Sequence, residues 1–217
     1  MLRHPGRYPD RGVFVCFEGG EGGGKSTQSQ LLHERLAGEG YDVLLTFEPG
    51  DTAVGQEMRR IVLSPQTGHL AEKTEFLLYL ADKAEHVETK VRPALDRGAV
   101  VITDRYVDST LAYQGAGRAL DAGEIEQVAR WATGDLRPHL TVVLDVEPAA
   151  GLGRFEERDR IEGESLEFHQ RVRDSFLALA DRDPEHYLVL DARKAIDEIA
   201  TDVVRRVEPL LHQAVRR

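Results

Sequence analysis

The chain has 217 residues, with 28 Lys+Arg against 38 Asp+Glu and a net charge of −10, a length that favours one domain over two. At 41% hydrophobic and 30% charged it can bury a core and lacks the composition of a disordered chain. The acidic balance argues against a broad nucleic-acid-binding face. An anionic small molecule stays open, because pockets are local and net charge is global.

Residues 1–12 combine Pro, Gly and Arg without an apolar period and read as a flexible lead-in. Val13–Phe17 is β-branched and aromatic and runs into glycines, as a buried strand does. Lys25–Ala37 places Leu31, Leu32 and Leu36 at helical spacing. Tyr41–Thr46 reads as a second strand. Glu72–Arg97 reads as a long helix interrupted near Pro93, and Ala99–Thr103 as a third strand. Asp121–Ala132 is a helix, Leu140–Val146 a fourth strand and Glu164–Ala180 a helix with Phe168, Val172, Phe176 and Leu179 on one face. His186–Leu190 is a short fifth strand and Ala195–Leu211 a final helix. Five apolar strands alternating with helices predict an α/β fold, a parallel sheet covered on both faces.

No apolar run approaches the ~20 residues that span a bilayer, and the N-terminus has no signal-peptide core. The single Cys16 cannot form an intrachain disulfide, and the eight histidines show no metal-ligand spacing. These features point to the cytoplasm and away from a metal held in a protein cage.

Gly19-Gly20-Glu21-Gly22-Gly23-Gly24-Lys25-Ser26 fits the phosphate-loop pattern and lies between a predicted strand and a predicted helix. Glycines let the backbone turn its N–H groups onto a phosphate, and the helix adds its positive end. Lys25 can reach the outer phosphates and the Ser26 hydroxyl can ligate Mg²⁺. The loop alone leaves switch GTPases, ATPases and small kinases open.

Three features favour a kinase of a small nucleotide. The third strand ends in Asp104-Arg105-Tyr106, where strand ends line a ligand crevice; Asp104 can hold a metal and Arg105 a second phosphate. A carboxylate within the phosphate loop, Glu21, is electrostatically costly beside phosphates unless it serves another group. Residues 151–164 are polar, carry Arg154, Arg158 and Arg160, and suit a lid that closes on a transferring phosphoryl group.

From about Val13 to the final helix the sequence resembles the thymidylate kinase family. The landmarks, in the family's order, are Phe17–Gln28, Glu48-Pro49-Gly50, Thr74–Lys83, Asp104–Gly115 and Asp159-Arg160-Ile161-Glu162. The resemblance implies a P-loop NTPase-type three-layer αβα fold over residues 13–217. It implies Mg²⁺-dependent phosphoryl transfer from ATP to dTMP and a homodimer, for which the helix around Glu72–Lys90 is the candidate. ATP would lie on Gly19–Thr27 with Arg154 near the adenine, and Ser26 and Asp104 would serve the metal. dTMP would meet Glu21, Glu48, Pro49, Arg59, Tyr79, Lys83, Arg105, Thr110, Tyr113 and Gln114. With Gly22 where some members carry a loop arginine, the lid must supply the catalytic charge, and Arg160 aligns best, with Arg158 beside it. Three positions depart from the family: Phe47 replaces an arginine, Asp51 a glycine and Lys83 an arginine. Lysine donates without a planar fork, and Asp51 adds negative charge near an anion. Two alternatives remain at this level, a P-loop kinase of another nucleoside or nucleotide and a non-catalytic ATP-binding module.

Overall fold

The computed structural model describes residues 7–118 and 120–216; residues 1–6 of the expected lead-in lie outside them. The first strand, β1 (Val13–Glu18), is buried along its whole length. Its alternating side chains serve two faces, as the pleat dictates. Val13, Val15 and Phe17 face one apolar layer while Phe14 and Cys16 face another. The remaining strands are β2 (Val43–Phe47), β3 (Val100–Asp104), β4 (Leu140–Asp145) and β5 (Tyr187–Asp191). Among the described residues they form one parallel sheet in the order β2-β3-β1-β4-β5. All five lie within two residues of their predicted boundaries.

Helices α1 (Lys25–Gly38), α2 (Ala53–Leu63), α3 (Glu72–His86), α4 (Arg92–Asp96), α5 (Val107–Thr110), α6 (Ala122–Ala132), α7 (Pro148–Leu152), α8 (Leu166–Arg182) and α9 (Ile196–Val207) complete the chain. Leu32 and Leu36 of α1 and Ile199, Val203 and Val207 of α9 cover one face. Phe76 and Leu80 of α3, Val91, and Ile125 and Ala129 of α6 cover the other. A smaller cluster joins Phe168, Val172 and Phe176 of α8 to Tyr113 and Ile161. The long helix expected over Glu72–Arg97 changes to a π turn at Val87–Val91 before α4. Pro93 lacks an N–H and its ring crowds the preceding turn, and the widened turn absorbs this upstream of the proline. The final helix tightens to a 3₁₀ turn at Glu208–Gln213, where Pro209 again removes a donor.

Among the described residues, four helical segments escaped the sequence reading: α2, a 3₁₀ turn at Pro65–Thr67, α5 with its continuation, and α7. Thr52 caps α2 by accepting from Gly55 N at 2.9 Å, a signal present in the sequence. Leu111–Gly117 continues α5 as a π-helical stretch, a geometry with no simple periodic signature. Residues 7–12, expected as lead-in, are tied down. Arg7 N donates to Asp135 O at 2.8 Å and Gly12 N to Gln213 O at 2.9 Å, and Tyr8 stacks on His186 with ring centroids 4.5 Å apart.

The strand order matters for the site. β1 lies between β3 and β4, so the loops leaving its C-terminal end and that of β3 diverge at the point where the chain reverses direction across the sheet. Ligand crevices open at such points. Ile199, 3% exposed, bridges α9 to the sheet layer. Ile199→Ala is expected to lower unfolding free energy by about 2–5 kcal/mol, measured by urea denaturation.

Candidate active site

The phosphate loop passes from β1 into α1 through Gly24, whose φ is 88°. Lys25 is buried, and its Nζ donates to Gly19 O at 3.2 Å and Gly20 O at 2.8 Å. Burial first, and Arg105 next, hold its ammonium pKa below the usual range, against the pull of Glu21, Asp104 and Glu18. Ser26 Oγ donates to Asp104 Oδ2 at 2.6 Å. Gly22, Gly24, Lys25, Ser26, Thr27 and Asp104 line one cavity. Gly23 packs beneath it, where a Cβ would come 3.2 Å from Leu144 O.

Gly22 has φ +68°, and a Cβ there would lie 2.4 Å from Gly151 O. A Cβ on Gly151 would in turn lie 2.2 Å from Glu21 O. The loop and α7 therefore meet backbone to backbone, which only glycine allows. A loop arginine at position 22 has no space unless α7 moves. Arg154, just beyond α7, donates from Nη1 to Gly22 O at 2.6 Å.

A second cavity adjoins the first and shares Glu21, Glu48, Arg59, Arg105 and Glu162 with it. Pro49, Tyr79, Lys83, Thr110, Tyr113 and Gln114 also line it. The fold thus brings together the whole set of residues picked out for an acceptor nucleotide. Arg105 adopts φ 73°, and its Nη2 donates to both oxygens of Glu21 at 2.8 and 2.7 Å. Tyr113 donates its hydroxyl to Glu21 Oε1 at 2.7 Å. Burial raises the Glu21 pKa, but the charges of Arg105 and Lys25 and the Tyr113 bond outweigh it and hold the carboxyl at about 2. Arg59 donates to Pro49 O at 2.8 Å and lies over the Phe47 ring, 5.8 Å from its centroid.

The wall of this cavity rests on a buried ionic cluster. Glu48 is 3% exposed and receives Lys83 Nζ at 2.5 Å and His86 Nδ1 at 2.8 Å. Burial opposes its ionisation, yet Lys83 and His86 hold its pKa below the usual range. His86 Nε2 meets Thr46 Oγ1 at 2.6 Å. Thr46 also bonds Asp51, and Lys90 Nζ reaches Asp51 at 2.8 Å. The departure at Asp51 is therefore answered by Lys90, and the departure at Lys83 by Glu48.

The lid arginines divide. Arg160 does not line either cavity. Its Nη2 pairs with buried Glu75 at 2.5 Å, and its Nε donates to Val62 O at 2.7 Å. Glu75 also receives Gln114 at 3.0 Å and Arg118 at 3.0 Å. The arginine that aligns best with a catalytic role is therefore engaged as an anchor between the lid, α2 and α3. Arg158 is exposed. Glu75, Asp82 and Ser109 lie inside the motifs read from sequence but had no role assigned there. His86 and Arg118 lie outside them, and only the contacts reveal them.

The thymidylate kinase family model matches residues 17–203. The chain is 54% identical over 202 residues to the thymidylate kinase of Cutibacterium acnes, covering 93% of this chain and 99% of that protein. It is 53% identical over 204 residues to that of Clavibacter michiganensis, covering 92% and 96%. The crystal structure of thymidylate kinase from Ehrlichia chaffeensis superposes with a TM-score of 0.77 at 31% identity, covering 91% of this chain and 99% of the other.

Asp82 generates a pH prediction. It is 1% exposed; Oδ1 accepts from Gly50 N at 2.9 Å, while Oδ2 has no hydrogen-bond partner. Burial, with Glu48 adding, pushes its carboxyl up to about 6 from 3.8. Because the folded state prefers the protonated acid, ionisation costs stability in full above about pH 6, and the cost vanishes as pH falls toward 4. Asp82→Asn is expected to stabilise the fold at pH 7.5 by up to about 3 kcal/mol and to make little difference near pH 4, read from denaturant melts at both pH values.

Proposed function

As this chain belongs to the thymidylate kinase family, we propose that the P-loop cavity takes ATP and the adjoining cavity takes dTMP. The chain is an ATP:dTMP phosphotransferase that yields dTDP and ADP. The observation that carries the assignment of sites is the Arg105–Glu21 pair at the junction of the two cavities. It sets a cation where an acceptor phosphate would face the donor.

In this reading residues 13–217 act as one catalytic domain. Lys25 and the loop N–H groups hold the donor phosphates. Arg105 grips the acceptor phosphate, with Glu21 and Tyr113 fixing its direction near the sugar. Tyr79 offers a flat ring to the base. Thr110, Gln114 and Lys83 meet the base edge, and Glu48, Pro49 and Arg59 close the wall. A hydroxyl and a carboxylate beside the loop form the all-oxygen donor pair that suits Mg²⁺ when phosphates supply further ligands. Ser26 and Asp104 would hold that ion, and its charge would offset that of the phosphates when bound. Catalysis comes from positioning and charge neutralisation more than from a general base. Residues 151–164 close as a lid that excludes water, with Arg154 and Arg158 bringing positive charge and Arg160 anchoring the segment on Glu75. No described helix is long and apolar enough to cross a membrane, and we place the enzyme in the cytoplasm. We further propose a homodimer formed through α3, whose Leu77 is 57% exposed.

A coupled ADP-release assay with dTMP, dUMP, dCMP and dGMP tests the substrate. dTMP is expected to turn over fastest, and faster turnover of another monophosphate overturns the assignment. Arg105→Ala is expected to raise KM for dTMP by ~10–100-fold, in line with lost charge-assisted hydrogen bonds, with a much smaller change for ATP. Equal losses for both nucleotides would contradict its role.

A further inference from the structure

Glu18 ends β1 directly beneath the phosphate loop and is 0% exposed. Its two oxygens have separate tasks. Oε1 accepts from Tyr106 N at 2.8 Å and Ser109 N at 3.0 Å, so a strand residue caps the start of α5. Oε2 accepts the Ser109 hydroxyl at 2.6 Å. That hydroxyl carries one proton. Once it is given to Glu18, only lone pairs remain to face Arg105, and Arg105 Nη1 donates to Ser109 Oγ at 3.2 Å. The other end of the same guanidinium is held by Glu21. Arg105 thus lies among three acceptors, Glu21, Gly19 O (from Nη1 at 3.4 Å) and the Ser109 hydroxyl, and Glu18 draws the proton of the last away from the guanidinium.

We propose that Glu18 is a positioning residue, setting the polarity of the Ser109 hydroxyl so that Arg105 is aimed into the acceptor cavity. The proposal rests on the reading of Arg105 as the acceptor-phosphate ligand. Capping alone does not require a carboxylate. A glutamine at position 18 offers the same Oε1 to both backbone N–H groups. It would place an amide N–H₂ at the Oε2 position, which donates to Ser109 and turns the hydroxyl proton toward Arg105, donor against donor. Retaining a charge in this buried place costs desolvation. Burial first, and Asp108 next, outweigh Arg105 and the Ser109 and Tyr106 bonds, and leave the Glu18 carboxyl at about 7, above its usual 4.5.

The test is steady-state kinetics on Glu18→Gln, Ser109→Ala, the double variant, Ser109→Thr and Arg105→Ala, with dTMP and ATP varied separately and a thermal melt for each. Glu18→Gln is expected to raise KM for dTMP by ~10–100-fold and Ser109→Ala by several-fold, on the scale of hydrogen bonds to a charged group. KM for ATP should stay within about twofold, since the loop itself is untouched. The decisive arm is the double variant. Without the hydroxyl there is no polarity to reverse, so Ser109→Ala should suppress the Glu18→Gln defect and return KM for dTMP to the Ser109→Ala value. Multiplied losses in the double variant, or a parallel rise in KM for ATP, overturn the proposal and leave Glu18 a structural cap. If Glu18→Gln does not fold, the serine pair decides. Ser109→Ala with a raised KM for dTMP that Ser109→Thr restores supports the proposal, and an unchanged KM rejects it. If Arg105→Ala leaves KM for dTMP unchanged while the other variants raise it, the reading of Arg105 fails and takes this proposal with it. If Arg105→Ala raises it and Ser109→Ala does not, only this proposal fails.

Discussion

A carboxylate taken out of water must find its compensation inside the protein, and the wall between the two cavities is built on that requirement. Glu21 has Arg105 and Tyr113. Glu48 has Lys83 and His86, Asp51 has Lys90, Glu75 has Arg118 and Arg160, and Asp104 has the Ser26 hydroxyl. Each pairing removes a local repulsion that anionic ligands would otherwise meet. Each ion pair among them also immobilises a cation, so side chains that would sweep through many rotamers in water are aimed in one direction.

The pairings also connect elements distant in sequence. Glu75 of α3 ties down Arg118 after the π-helical stretch and Arg160 in the lid. Glu48 after β2 ties down two residues of α3. Removing one partner from such a node would strand the other as a buried charge, which costs more than the pair contributes. The close approach of Gly22 and Gly151 adds a steric counterpart. The phosphate loop and α7 meet backbone to backbone at this point. The same contact leaves no space for a larger side chain at position 22 while α7 stays in place.

The architecture was legible because it depends on local pattern. A run such as Val13–Phe17 has no polar residue to expose and must be covered on both sides, and glycines followed by Lys25-Ser26 have one well-known use at a strand–helix junction. The residues picked out for an acceptor came from motif resemblance, and the fold brings all of them to one cavity. Other features were hidden for identifiable reasons. The π-helical stretch at Leu111–Gly117 has no period of its own. Tyr79 sits among Phe76, Leu77 and Leu80, so its neighbours in sequence suggest core packing, and the direction of its ring toward the cavity is a tertiary fact. Arg160 aligned with a catalytic position, yet alignment says nothing of Glu75, 85 residues earlier, which holds it.

What the sequence determined by itself was the order of strands and helices, the phosphate loop at its junction and the chemical identity of the groups available. These follow from interactions between near neighbours and from the periods of strand and helix. What only the tertiary structure decided was which charge answers which. A buried ion pair is chosen by proximity in space, and the partners of Glu48, Glu75 and Asp51 lie on other elements. The acidic excess of −10 was visible at once and suggested conflict with anionic substrates. The fold resolves that conflict carboxylate by carboxylate, because desolvation leaves a charge at the sheet edge in place only where a partner comes within hydrogen-bonding distance.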